Sequence, residues 1–300
     1  MNNEKKQNLH HKIKVQMKDI QKLPGISAVQ DFWSKNPMTF SVWKGLSPDE
    51  LLKQVVAKIR KKAWHAQEKD EPLYSNHIDY ASLKDKKVLE IGYGTGWLSK
   101  EFISAGAIYT GIDLSTFHYD LCNLLFNREQ NATFTLGNAE NLPFEDNTFD
   151  YVVSYGVLHH STDTKKCIDE ALRVLKEECT LFVMIYRKSF LKYWYNKFFK
   201  FGVLRGEILR YKSVHKVVER HTDAHSEDGI GAPISRHYKV SDIPLLFSKF
   251  SSYKYQIYGS FGELNGFPST RFNIGQFMSV EMKQRLLKKY GGYLFIWGRK

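Results

Sequence analysis

The 300-residue sequence predicts an α/β fold built on an open, largely parallel sheet. Three observations carry that expectation. From Lys87 onward, short apolar runs alternate with stretches of helical periodicity. The first run passes directly into a glycine-rich turn, and the following runs end on polar or acidic residues, where ligands bind in such sheets.

The residues before Lys87 read as a separate helical element. "SPDELLKQVVAKIRKKAWHAQ" opens with Ser47 as N-cap, Pro48 at the first helical position and two acids in the first turn. Ahead of it, "FWSKNP" and "VWKG" place Trp33 and Trp43 in polar, turn-like surroundings. "KVLEIG" is the first strand, with a helix over 97–105. "YTGIDL" (109–114) is the second, followed by a helix to about Asn127. "TFTLGNA" (133–139) and "FDYVVSYG" (149–156) are the third and fourth, "DTKKCIDEALRVLK" (163–176) a helix and "TLFVMIY" (180–186) the fifth strand. The alternation then breaks. A basic, aromatic stretch, a His-rich loop and a helix over 241–250 precede "YKYQIYG" (253–259), and "GGYLFIWGRK" closes the chain as a strand.

At 42% hydrophobic residues the chain can bury one large core with appendages. No run approaches the ~18 apolar residues of a membrane span, and the basic N-terminus lacks the apolar centre of a secretory signal. Cys122, Cys167 and Cys179 are scattered and odd in number, which points to a reducing, cytoplasmic setting without disulfides and lacks zinc-site spacing. The net charge of +12 is uneven. Arg187 to Arg220 holds ten Lys or Arg against Glu207 and Glu219, or +8, and residues 1–22 add +4, from six lysines against Glu4 and Asp19. The basicity belongs to two appendages.

The turn "VLEIGYGTGW" (88–97) discriminates among phosphate and nucleoside ligands. A dinucleotide fingerprint needs a third glycine where Trp97 stands, and no Gly-Lys-Ser/Thr follows to make a phosphate-binding loop. Glu90, two places before Gly92, would repel a pyrophosphate but suits a ligand bearing an ammonium and a sulfonium. The turn therefore fits S-adenosylmethionine. Asp113, at the end of the second strand, is positioned to accept from ribose hydroxyls, while "GNAENLPF" puts Asn138, Ala139 and Glu140 beside the adenine. The fourth strand ends "SYGVLHH", next to the transferred group.

The series E-x-G-x-G-x-G, "GIDLS", "GNAENLPFEDNTFDYVVSYGVLHH" and "EALRVLK" resembles the class I S-adenosylmethionine-dependent methyltransferases, in particular the small-molecule branch typified by the ubiquinone and menaquinone methylases. The resemblance covers roughly residues 85–187. It implies a seven-stranded Rossmann-like sheet with helices on both faces; the chain outside the resemblance is expected to add a helical N-terminal extension over 1–82 and, within a methyltransferase domain over 83–300, a cap inserted at about 187–250. It implies S-adenosylmethionine as cofactor, with S-adenosylhomocysteine as product. By similarity Glu90, Gly92, Gly94 and Gly96 contact its methionine moiety and Asp113 its ribose; Tyr93, Thr95, Trp97 and Leu114, with Asn138, Ala139 and Glu140 at the third strand's end, complete the expected cofactor set. Ser154 and Tyr155 close the site. Tyr93 and Trp97 also suit plain packing roles. The family usually carries Asp where this chain has Asn138; an amide oxygen still accepts from the adenine amino group.

Methyl transfer from a sulfonium asks mainly for positioning and exclusion of water. A base is required only where the nucleophile must lose a proton, and His160, then His159 and Tyr155, are the candidates by topology; bracing of the loop is the competing role. His221, Asp223, His225, Arg236, His237 and Tyr238, from "ERHTDAHSEDGIGAPISRHY", are candidates for binding a polar acceptor through a lid-like loop; no metal is expected there. In "KSFLKYWYNKFFKFGV", Phe190, Leu191, Trp194, Tyr195, Phe198 and Phe201 share one helical arc, and Lys188, Lys192, Lys197 and Lys200 the other. A surface helix packed on the core, a cover over an apolar channel and a contact with a membrane surface all remain open for it. The favoured acceptor is a small apolar or aromatic molecule bearing a polar or anionic group. The charge raises a nucleic-acid substrate as the alternative, but "SYGVLHH" lacks the Pro-Pro stretch of adenine and cytosine amino methylases, and no Pro-Cys nucleophile is present. A non-catalytic cofactor-binding subunit is the third reading.

Overall fold

The computed structural model describes residues 25–36, 46–62, 72–221, 231–264 and 274–300. Seven strands form one sheet in the order β3-β2-β1-β4-β5-β7-β6. They are β1 (Lys87–Ile91), β2 (Ile108–Asp113), β3 (Ala132–Leu136), β4 (Phe149–Tyr155), β5 (Leu175–Tyr186), β6 (Ser252–Tyr258) and β7 (Tyr293–Arg299). The first five run parallel, and β7 is antiparallel to both β5 and β6. This is the Rossmann-like methyltransferase sheet.

Strand alternation divides the core between two faces. Leu89, Val152, Leu181, Val183, Leu294 and Ile296 point to one side, where they meet Ile168, Ala171 and Leu172 of α5 (Thr164–Val174) and Ile243 and Leu246 of α8 (Ile243–Leu246). Val88, Val153, Phe182 and Phe295 point to the other, against Phe102 and Ile103 of α3 (Ser99–Ser104) and Cys122 of α4 (Thr116–Leu125). Near-continuous apolar runs in the central strands are the sequence expression of burial on both sides.

Two helices of the N-terminal part are described, α1 (Ile26–Lys35) and α2 (Pro48–Lys62). Ser47 caps α2 reciprocally: the Glu50 carboxylate accepts from Ser47 Oγ (2.7 Å) and N (2.9 Å), while Glu50 N donates to Ser47 Oγ. Leu51 and Val55 bury against Leu121 of α4. α1 is fastened to the turn after β2, with Gln30 Nε2 donating to Leu114 O (3.0 Å) and Ser115 Oγ to Trp33 O (3.2 Å). Trp33 thus sits in a helix, not in a turn; the polar residues beside it face outward while its ring faces in.

Other departures have local causes. β5 begins at Leu175, five residues before the expected start, because Phe149 pairs Leu175 and the ladder resumes only at Tyr151–Thr180. Lys176 to Cys179 bulge out there, with Glu178 in left-handed backbone at φ 61°. The helix expected over 241–250 is a single turn of 3₁₀ (Val240–Asp242) followed by α8, ending at Leu246. The chain after β5 forms a 14-residue π-helix, Phe190–Val203, capped by Ser189, then the short helices α6 (Glu207–Tyr211) and α7 (Val214–Arg220). Beyond β6 come α9 (Phe261–Leu264) and α10 (Val280–Tyr290), which lie in sequence where no helix was expected.

Candidate functional site

The order reverses between β1 and β4: β1 leads to β2 on one side and β4 lies on the other. That is the switch point at which α/β sheets bind ligands. A cavity of about 570 Å³ opens there, lined by the ends of β1, β2, β3 and β4 and covered by α1 and α2.

The glycine turn forms its floor. Gly92, Gly94 and Gly96 all have positive φ, but for different neighbours. A Cβ on Gly92 would stand 2.3 Å from Val157 Cγ2, and one on Gly96 2.7 Å from Phe126 Cε2. Those two glycines serve packing. A Cβ on Gly94 would meet nothing within 4 Å, so its bare backbone is a surface offered to the cavity.

Two buried carboxylates face this space and are treated oppositely. Glu90 Oε2 accepts from Ser99 Oγ (2.8 Å) and Tyr109 OH (2.7 Å). Burial pushes its carboxyl up to about 7; the two hydroxyls pull it down without compensating, and the charge of Asp113 adds to the rise. Asp113 is also buried, which by itself would raise its pKa, but its neighbours win. His118 Nδ1 lies 3.5 Å from Oδ1, Ser115 N donates to Oδ1 (2.8 Å) and Gly94 N to Oδ2 (2.9 Å), holding the group below the usual carboxylate range. Asp113 Oδ2, with one donor, keeps a second acceptor direction for a ligand hydroxyl. His118 lines the cavity, and its buried Nε2 has no hydrogen-bond partner among the described residues.

At the third strand's end, Asn138 Oδ1 accepts from Glu140 N (3.0 Å), which shapes the turn beside Ala139. Glu140 lines the cavity, yet its Oε1 accepts from Thr162 N (2.8 Å), Thr162 Oγ1 (2.6 Å) and Asp163 N (3.1 Å). It therefore ties the loop after β4 to the loop after β3.

The far end is aromatic. Tyr74, Tyr155, Tyr186 and Tyr293 form its wall with Met184, and Trp33 lies edge-on to His160 with 5.0 Å between centroids. Tyr155 OH and Tyr74 OH are 2.5 Å apart, and burial raises both pKa values far above the ordinary phenol range. His160 Nδ1 is 2.6 Å from Ile234 O. A carbonyl only accepts, so Nδ1 carries the hydrogen and the neutral ring has its lone pair on Nε2.

Of the residues expected around the cofactor, Glu90, Gly92, Tyr93, Gly94, Thr95, Trp97, Asp113, Leu114, Asn138, Ala139, Glu140 and Tyr155 line the cavity. Gly96 and Ser154 do not. Gly96 faces α4, and Ser154 Oγ is tied to Ile91 O at 2.9 Å. His159 is also off the wall. Its ring packs tilted against Tyr186, centroids 3.9 Å apart, and burial, with His160, His237 and Lys192 nearby, drives its pKa well below the histidine norm, so it stays neutral. The four described acceptor candidates, His221, Arg236, His237 and Tyr238, do not line the cavity. His221 Nε2 meets Glu207 at 2.7 Å, Arg236 donates to Thr162 O (2.8 Å), His237 packs on Tyr186 and Tyr193, and Tyr238 N donates to Tyr186 O (2.8 Å). Asp223 and His225 fall outside the described residues.

Sequence reasoning missed His118 and the lid residues Ile26, Val29, Trp33, Val55 and Ile59. His118 had a signal: it follows Ser115, the N-cap of α4, by three residues, so the first turn carries it back over the strand end.

The fold and the glycine turn are like those of class I methyltransferase domains, whose cofactor is S-adenosylmethionine. The cavity fits that molecule. It offers a carboxylate at the turn, two carboxylate oxygens at the end of β2, a buried imidazole nitrogen awaiting a partner, and open space over Gly94.

Residues 89–183 match the family model described as "Methyltransferase domain". Over 117 residues the chain is 33% identical to phthiotriol/phenolphthiotriol dimycocerosates methyltransferase 1 of Mycobacterium ulcerans, covering 36% of this chain and 42% of that protein. It is 30% identical over 115 residues to the ubiquinone biosynthesis O-methyltransferase of Coxiella burnetii, covering 38% and 49%. The chain thus spans less than half the length of these relatives. In structure it is similar to the complex of the Haloferax volcanii Trm112 methyltransferase activator with its putative methyltransferase. There the TM-score is 0.52 and the identity 14%, over 84% of this chain and 97% of that one, which reflects the fold.

Proposed function

We propose that the protein methylates a small apolar or aromatic acceptor carrying a polar group, most simply a hydroxyl. The supporting observation is that one cavity joins the cofactor residues to an aromatic end at which His160 stands. When bound, S-adenosylmethionine supplies an electrophilic methyl group on a sulfonium. The chain's own residues do the rest. Glu90 holds the methionine moiety and Asp113 the ribose of the cofactor, the tyrosine wall orients the acceptor and excludes water, and His160 Nε2 accepts the hydroxyl proton.

The likeness to the ubiquinone O-methyltransferase supports this choice of a hydroxyl on a small molecule. Among the described residues the cavity wall carries no Lys or Arg, so the +8 segment does not meet the acceptor directly. The test is methylation with labelled cofactor of phenols and lipid-like hydroxy compounds against total RNA. Product from the small molecules supports the proposal; labelled RNA with no small-molecule product refutes it.

A further inference from the structure

The basic segment that the cavity leaves unused forms a surface of its own. In the π-helix each amide reaches five residues back, as Trp194 N does to Ser189 O and Leu204 N to Phe199 O. That wider turn brings residues spaced by four, five and four onto one stripe. Phe190 (58% exposed), Trp194 (44%), Phe199 (39%) and Val203 (47%) occupy it, and Leu204 (68%) and Leu209 (80%) extend it. The opposite side is anchored: Leu191 and Tyr193 are buried, and the Lys192 ammonium lies 3.5 Å from the Tyr186 ring and 4.6 Å from that of Tyr293, two walls of the cavity. The apolar stripe is thus held outward by the same helix that backs the aromatic end.

Cations surround the stripe's end. Arg205, Arg210, Lys212 and Lys216 are exposed. The two acids of the segment are engaged locally, Glu207 with His221 (2.7 Å) and Glu219 with His215 (3.1 Å). No helix of the described residues is long and apolar enough to cross a membrane. We propose that this face docks on an anionic lipid bilayer, with the aromatic stripe in the interface and the cations over the lipid phosphates.

The test is flotation of the full chain with vesicles of phosphatidylcholine alone, and of phosphatidylcholine with one third phosphatidylglycerol, at low salt and at about 0.5 M salt. Binding to the anionic vesicles alone, lost at high salt, is expected. Arg205→Gln/Arg210→Gln should weaken it about 30-fold, about fivefold for each cation. Phe190→Ser/Trp194→Ser/Phe199→Ser should abolish it. Both variants should bind S-adenosylhomocysteine by calorimetry as the parent does, which separates this proposal from the assignment of the cofactor site. Three results would overturn it: no flotation with anionic vesicles at low salt, flotation unchanged in the triple variant, or a dimer in sedimentation that the triple variant dissolves, which would make the stripe a self-association face.

Discussion

The carboxyl of Glu90 should make both stability and cofactor affinity depend on pH, in opposite directions. Its pKa is about 7 in the folded chain against 4.5 for the free group. Between those values the folded state holds a proton that the unfolded chain has released, so stability falls as pH rises through the window. The difference between 4.5 and about 7 corresponds to about 3 kcal/mol, fully lost above pH 7. The cofactor's positive charges favour the ionised form, so affinity should rise about tenfold from pH 6 to pH 8, following the ionised fraction. Glu90→Gln retains an oxygen to accept from Ser99 and Tyr109 but cannot ionise. Urea unfolding at pH 5 to 8 should show it more stable than the parent at pH 8 and level across the window. Calorimetry with S-adenosylhomocysteine at pH 6.5, in two buffers of different ionisation enthalpy, should show proton release for the parent and none for the variant. Identical pH profiles for parent and variant would refute the reasoning.

Asp113→Ala should weaken S-adenosylhomocysteine binding by roughly 1–3 kcal/mol, the scale for hydrogen bonds to a charged group, as read by calorimetry. Gly94→Ala should lose cofactor binding while the melting temperature falls only slightly, because only its positive φ resists a side chain. Gly92→Ala should lower the melting temperature markedly, because its Cβ would run into Val157. His160→Gln should reduce turnover of a hydroxyl acceptor by about 10²–10⁴-fold with unchanged cofactor affinity, the scale of general-base catalysis; equal turnover would assign His160 a bracing role.

The parallel core and the cofactor turn were legible because periodicity and turn chemistry act locally. "VLEIGYGTGW" needs its glycines for backbone reasons that any reader of the sequence can reconstruct. The acceptor end was not legible. Trp33 and His160 meet edge to edge across more than a hundred residues, and no local pattern encodes that contact. The α-helical wheel also failed at the π-helix. It put Phe190, Leu191 and Trp194 on one arc, whereas the structure buries Leu191 and exposes the other two, since i→i+5 bonding changes which residues align. The His-rich loop offered candidates for binding a polar acceptor, but His221 pairs with Glu207 and His237 packs on Tyr186 and Tyr193, so neither lines the cavity.

The contrast between Glu90 and Asp113 shows why the sequence could name both residues but not their charge states. Both are buried carboxylates in one cavity, and each alone would be driven toward neutrality. Asp113 receives two backbone amides and a histidine, donors held by the glycine turn after β1 (Gly94) and by the turn and helix after β2 (Ser115 and His118). Glu90 receives two hydroxyls, Ser99 from α3 and Tyr109 from β2, which donate to its anion without offsetting burial and, unlike an amide N–H, can also turn to accept from the neutral acid. Amide dipoles and an imidazole stabilise charge; hydroxyls largely tolerate its absence. Asp113 therefore stays ionised before any ligand arrives, and Glu90 completes its ionisation when a cation does. On the proposed placement of the cofactor, pulling these two groups apart would let Asp113 hold ribose hydroxyls at any physiological pH while Glu90 responds to the ammonium and sulfonium.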